Sequence, residues 1–203
     1  MILQNRYLLV LQIASLALVA APRITQAQRL PLAFDGKNLA GWRVPEGNIW
    51  WSVEKGVLKV ESDPKRLGSE LWTVREYDNF VMELEFKFGK GTVDSGVFVR
   101  NSREQIQIGI SGSLKRDMTA SPYIAGKGYP VEARGIQDLL DLKDWNLMTI
   151  VAKEKTYSVW LNNQHVMTYE SETAAAKGPI GLHLHPGNTM SIHFRNIRIA
   201  DLK

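Results

Sequence analysis

Hydrophobic and polar residues alternate with period two along most of this chain. In residues 80–88 (FVMELEFKF), Phe80, Met82, Leu84, Phe86 and Phe88 fall on one side, and Val81, Glu83, Glu85 and Lys87 on the other. Successive side chains of a strand point to opposite faces, so the spacing predicts a half-buried strand. Residues 95–100 (SGVFVR), 105–110 (QIQIGI), 147–170, 180–185 (IGLHLH) and 191–202 read the same way. Asn162-Asn163 separates two alternating runs, and Asn tolerates positive φ, so a tight hairpin is expected there. Lys55-Gly56 marks a second. Only residues 131–145 (VEARGIQDLLDLKDW) look partly helical. The expected architecture is all-β, a β-sandwich or jelly roll. Residues 111–133 form the longest stretch without a pattern, and loops of that length in a compact domain usually carry function or motion.

The first residues break the pattern. Arg6 precedes an apolar run at 7–21, shorter than the roughly 20 apolar residues a membrane span needs. Small residues follow at Ala21 and Ala27, as in secretory signal peptides. The expected organisation is a signal peptide over 1–27 and one domain over 28–203. The expected destination is the periplasm or the exterior. Without Arg6 and Arg23 the remaining chain has 23 basic and 21 acidic residues, a net charge of +2. These charges are interspersed, which gives no basis for nucleic-acid binding, and no further segment is apolar enough to span a membrane. The absence of cysteine excludes a disulfide framework, so the core must supply the stability.

Facing, more than motif, points to chemistry. Gly96, Phe98 and Arg100 share one face of their strand, and Gln105, Gln107 and Gly109 share one of theirs. Gly181, His183 and His185 share a third, opposite the apolar Leu182 and Leu184. If these strands are neighbours, Arg100, Gln105, Gln107, His183 and His185 line one polar surface, with glycines leaving room for a ligand. The alternative is a plain solvent-facing sheet. His183-x-His185 puts two rings on one face, but no third ligand is evident, since His193 lies on another strand; no metal or cofactor is expected, with a divalent ion the weaker alternative. No nucleophile elbow, dinucleotide fingerprint or phosphate loop is present. Glu83 and Glu85 are the closest same-face acidic pair, but they point in parallel and read as a solvated strand face. Among six tryptophans, Trp72 is the preferred candidate for stacking on a sugar ring.

Residues 32–44 (LAFDGKNLAGWRV), 94–100 (DSGVFVR) and 145–166, followed by GPIGLHLHPG and HFRNIRIADL, resemble in order and spacing the 3-keto-disaccharide hydrolase domain family. The resemblance runs from about Leu32 to Leu202. It implies a concanavalin A-like jelly roll of two antiparallel sheets, exported by bacteria. The implied activity is cleavage of glycosidic bonds in sugars whose C3 hydroxyl has been oxidised to a ketone, by hydrolysis or by elimination and hydration. A C3 ketone acidifies the C2 proton, and the resulting enolate expels the group on C1. The family's Arg, Gln and His positions fall on Arg100, Gln107 and His185. The two carboxylates usual in the strand after the Arg are missing, because that strand reads Gln105 to Ile110. Glu104 and Asp117 are candidate replacements, and His183 stands where a Gln is usual.

The resulting assignment makes His185 the general base or acid. Arg100 stabilises the enolate, and Tyr123 is the candidate leaving-group acid. Gln105, Gln107, His183, Lys115 and Trp72 bind substrate. The competing readings are a non-catalytic carbohydrate-binding sandwich and a plain scaffold. The lost carboxylates favour the binder, and the retained Arg100, Gln107 and His185 favour the enzyme.

Overall fold

The structure, a computed structural model, describes residues 29–202. The expected signal peptide lies outside the described residues. Strands are numbered in chain order. One sheet has six antiparallel strands, in the spatial order β1 (Trp42–Arg43), β4 (Ser69–Tyr77), β12 (Gly178–Leu184), β6 (Asp94–Val99), β7 (Glu104–Gly109) and β8 (Pro122–Ile124). The other has seven, in the order β11 (Gln164–Glu170), β10 (Thr156–Leu161), β9 (Asn146–Lys153), β5 (Phe80–Gly91), β13 (Met190–Asp201), β3 (Val57–Glu61) and β2 (Trp51–Glu54). The neighbours β4, β12 and β6 are remote in sequence, as jelly-roll connections require. No helix among the described residues is long and apolar enough to cross a membrane.

The period-two pattern builds the core. Phe80, Met82, Leu84 and Phe86 of β5 are fully buried. They meet Val97, Val99, Ile106, Ile108, Leu182 and Leu184 from the opposite sheet in one apolar cluster. Full burial of one such side chain contributes on the order of 1.5–3 kcal/mol relative to exposure. Lys55-Gly56 and Asn162-Asn163 form the expected tight turns, with both residues of each pair at positive φ. That geometry matches the right-handed twist of the strands they join.

Two expectations change. The partly helical reading of 131–145 shrinks to a single turn, Ile136–Leu139 (α1). Gly135 precedes it with φ at 70° and Leu140 is already extended, so only Ile136 is buried and nothing propagates the helix. Ile110, placed by alternation in the buried row with Ile106 and Ile108, is only half-buried, because β7 ends at Gly109 and Ile110 makes an isolated bridge to Asp117. The patternless stretch 111–133 is a loop carrying the short strand β8, and it folds back over the six-stranded sheet.

Candidate active site

Rows of side chains cross the six-stranded sheet on the face turned away from the core. In one row, Trp72 of β4 pairs with Gly181 of β12, then Phe98 of β6, Gln105 of β7 and Tyr123 of β8. The next holds Glu70, His183, Gly96 and Gln107. Beyond it, Asp94 faces Gly109, and His185, just past the end of β12, donates its backbone N–H to the Asp94 carbonyl at 3.2 Å. The shared face read from sequence is therefore real for β6, β7 and β12, and these strands are adjacent.

Two glycines shape this surface. A Cβ on Gly181 would sit 2.7 Å from ring carbons of Trp72, and one on Gly96 would sit 2.5 Å from Cδ of Gln105. Trp72 thus lies across β12 to stack on Phe98, with centroids 5.2 Å apart and planes 11° apart. Gln105 lies across β6 and reaches His183 on β12, with its Oε1 2.7 Å from Nδ1 of His183.

The rows form the floor of a cavity of about 600 Å³, within the range of small-molecule sites. Its floor includes Glu70, Asp94, Phe98, Gln107, His183 and His185. Ser111, Ser113, Lys115, Tyr123 and Tyr129 come from the long loop. Asp94 is buried, and its carboxylate accepts from Gln107 Nε2 at 2.8 Å and from the Gly112 N–H at 3.0 Å. Its Oδ2 is 3.8 Å from Nδ1 of His185. The same Nδ1 is 2.7 Å from the Pro186 carbonyl, a pure acceptor, so Nδ1 carries the proton and Nε2 is the free basic nitrogen of His185. Burial, with a smaller contribution from His185, pushes the pKa of His183 down to about 3. His183 is thus neutral across the physiological range. Burial also raises the pKa of Tyr129, against the opposing hydrogen bond with Ser111. Tyr129 stands edge-on to Tyr123 at 5.3 Å.

Of the residues expected from sequence, Gln105, Gln107, Lys115, Tyr123, His183 and His185 line the cavity. Arg100 does not. It follows Phe98 by two positions, but its φ of 65° turns the chain out of the strand. Its guanidinium is 2% exposed and donates to four backbone carbonyls: Asp78 at 2.6 Å, Glu154 at 2.6 Å, Ala175 at 3.0 Å and Ala152 at 3.3 Å. With every carbonyl bond turned away from the cavity, Arg100 cannot stabilise an enolate there. Trp72 is half-buried beside Phe98, its indole N–H on Glu70 Oε2 at 2.9 Å, and it supports the cavity from outside the wall.

The candidate replacement carboxylates are also elsewhere. Glu104 is fully buried and accepts from the hydroxyls of Tyr157, Ser171 and Thr173. Asp117 caps the Thr119 N–H in a separate, smaller hollow. Glu85 pairs with Arg195 on the other sheet, and His193 lies there between the cross-strand partners Lys59 and Lys87. Among the described residues no group of three or more His, Asp or Glu side chains is placed to hold a metal ion. The cavity carboxylates are Asp94 and Glu70, which sequence reading missed. Both share the parity of residues already singled out, Asp94 with Gly96 and Glu70 with Trp72. Tyr129 and Ser111 had no signal beyond the length of their loop.

The sequence profile of the 3-keto-alpha-glucoside-1,2-lyase-like domain matches residues 31–200. No curated protein matches the chain in sequence. Solved structures share the fold. A proposed glycosyl hydrolase from Parabacteroides distasonis is 24% identical, with a TM-score of 0.63, over 86% of this chain and all of that one. A second from the same organism is 18% identical, with a TM-score of 0.61, over 86% of this chain and 94% of that one. A carbohydrate-binding module from Bacillus subtilis is 12% identical, with a TM-score of 0.54, over 81% of this chain and 98% of that one.

Proposed function

The chain belongs to the 3-keto-alpha-glucoside-1,2-lyase-like domain family, and from that premise we propose that it is an exported enzyme cleaving glycosidic bonds of 3-keto-glycosides. The observation that supports this most is His185, whose Nδ1 is tied to a carbonyl and flanked by the Asp94 carboxylate, on a cavity of sugar size. Its Nε2 takes the C2 proton of the sugar. The C2–H electrons form the enolate of the C3 ketone, and the enolate then expels the C1 oxygen, which takes a proton from an acid. An enone remains. Water adds at C1 and a proton returns to C2, completing hydrolysis. Asp94 favours the imidazolium that forms at His185, in the manner of a carboxylate beside a catalytic histidine. Lys115 is the cation on the cavity wall suited to the enolate oxygen, the role Arg100 is not placed to fill. Tyr123 and its neighbour Tyr129 are the acids facing the leaving group. The signal peptide read at 1–27 takes the enzyme to the periplasm or beyond.

A binding module is the second reading, favoured by one observation: Gln105 and a neutral His183 occupy the centre of the floor where an acid would otherwise serve. Turnover of a chromogenic 3-keto-glucoside separates the two. The enzyme releases the chromophore, and His185→Ala lowers turnover about 10²-fold or more if it transfers the proton. Chelator leaves the rate unchanged; loss of activity on chelation would make the two histidines metal ligands. Binding without turnover in the wild-type protein would establish the module.

A further inference from the structure

We infer that Gln105, lying across Gly96, is a positioning residue that fixes His183 as its Nδ1–H tautomer, making Nε2 a fixed acceptor for a sugar hydroxyl and keeping a ketone oxygen out of that place. The direction of the hydrogen bonds follows from one end. A carboxylate only accepts, so Gln107 turns its amide NH₂ to Asp94. Its Oε1 then faces Gln105 and accepts from Nε2 at 2.6 Å. The Ser95 carbonyl, 3.3 Å from the same Nε2, holds the amide the same way round. Oε1 of Gln105 is left for Nδ1 of His183, which must carry the proton.

Among the described residues Nε2 of His183 has no hydrogen-bond partner, yet none of their buried polar side-chain atoms lacks one. Nε2 is therefore open to solvent, and the solvent beside it is the cavity. The floor thus offers acceptors: this nitrogen and the carboxylates of Asp94 and Glu70. The loop offers donors, with the Lys115 ammonium and the Tyr129 phenol. A neutral sugar carrying a ring ketone and free hydroxyls fits with its hydroxyl edge on the floor and its ketone towards the loop. The orientation rests on the carbohydrate reading above, whereas the tautomer does not.

The test is the ¹H–¹⁵N long-range spectrum of His183 in the protein without sugar. The expected pattern is Nδ1–H with an unprotonated Nε2. Gln105→Met removes the acceptor at similar volume and moves the ring towards Nε2–H, while Gln105→Glu, carrying a proton on the oxygen that faces Gln107 Oε1, keeps an acceptor for Nδ1 and retains Nδ1–H. Thermal unfolding reports whether each variant is folded; if Gln105→Met is not, the wild-type tautomer and Gln105→Glu decide. Nε2–H in the wild type, or no change in folded Gln105→Met, overturns the assignment. In a second arm, saturating His185→Ala, which lacks the proposed base and leaves the sugar uncleaved, with methyl 3-keto-glucoside shifts the His183 Nε2 resonance as it accepts a hydroxyl. An unmoved Nε2 in a demonstrated complex refutes the orientation and leaves the tautomer standing. Absence of any complex counts against the carbohydrate reading itself.

Discussion

Arg100→Met separates a structural role from a catalytic one. The guanidinium is 2% exposed and donates to the carbonyls of Asp78, Glu154, Ala175 and Ala152, joining the β5 entrance, the β9–β10 turn, the end of β9 and the segment before β12. Methionine retains the stem and removes all five donors. A hydrogen bond to a charged group is worth about 1.5–3 kcal/mol, and a buried acceptor left without a donor loses that in full. Exposed acceptors recover water, so roughly two of the four bonds count, a destabilisation of about 3–6 kcal/mol. For a protein of this size each kcal/mol lowers Tm by about 2–4 °C, so a fall of about 10 °C is expected. Calorimetry of the protein measures it, with kcat/KM for a 3-keto-glucoside taken well below both midpoints. There the folded variant keeps kcat/KM within about threefold of wild type, as the fold holds its cavity without the guanidinium. An unchanged Tm with a 10²-fold loss of kcat/KM would place Arg100 on the substrate and refute the structural reading.

Other expectations follow from the same geometry. Gly181→Ala pushes a methyl group to within 2.7 Å of Trp72; it unstacks Trp72 from Phe98 and costs about 1–3 kcal/mol, seen as a lower Tm and altered tryptophan fluorescence. His183 has a folded pKa near 3, below the ordinary histidine value, so between those values the unfolded chain binds more protons. Stability from its neutral form is present above about pH 6.5 and declines as pH falls towards 3, and His183→Gln flattens that acid limb in urea titrations. Tyr129→Phe lowers turnover more than Tyr123→Phe, because Tyr129 is half-buried against the cavity while Tyr123 is the more exposed ring; equal effects would point to a loop role for both. Asp94→Asn lowers kcat by about tenfold or more while the protein stays folded, since it removes the charge beside His185, and a pH–rate profile reports the change.

Period two alone determined the sandwich, because a strand with one face buried must alternate. Residue identity determined the turns at Lys55-Gly56 and Asn162-Asn163, whose positive-φ backbone Asn and Gly adopt readily, and the alternation did the rest. It placed Gln105, Gln107, His183 and His185 on one side, and the same parity carried Asp94 and Glu70 unnoticed. Parity could not say where a strand ends. Arg100 has the parity of Phe98, yet a single left-handed residue sends it to four carbonyls in other segments. Nor could it say which strands are neighbours: β4, β12 and β6 meet only through long-range pairing, and that pairing brings Asp94 to His185 and folds the 111–133 loop over both. The sequence determines which face each side chain takes, since that depends on neighbours one and two residues away. The meeting of Asp94, Gln107, Gln105 and His183 in one line depends on strand order and on Gly96 leaving space for a side chain to cross, and those exist only in the folded sheet.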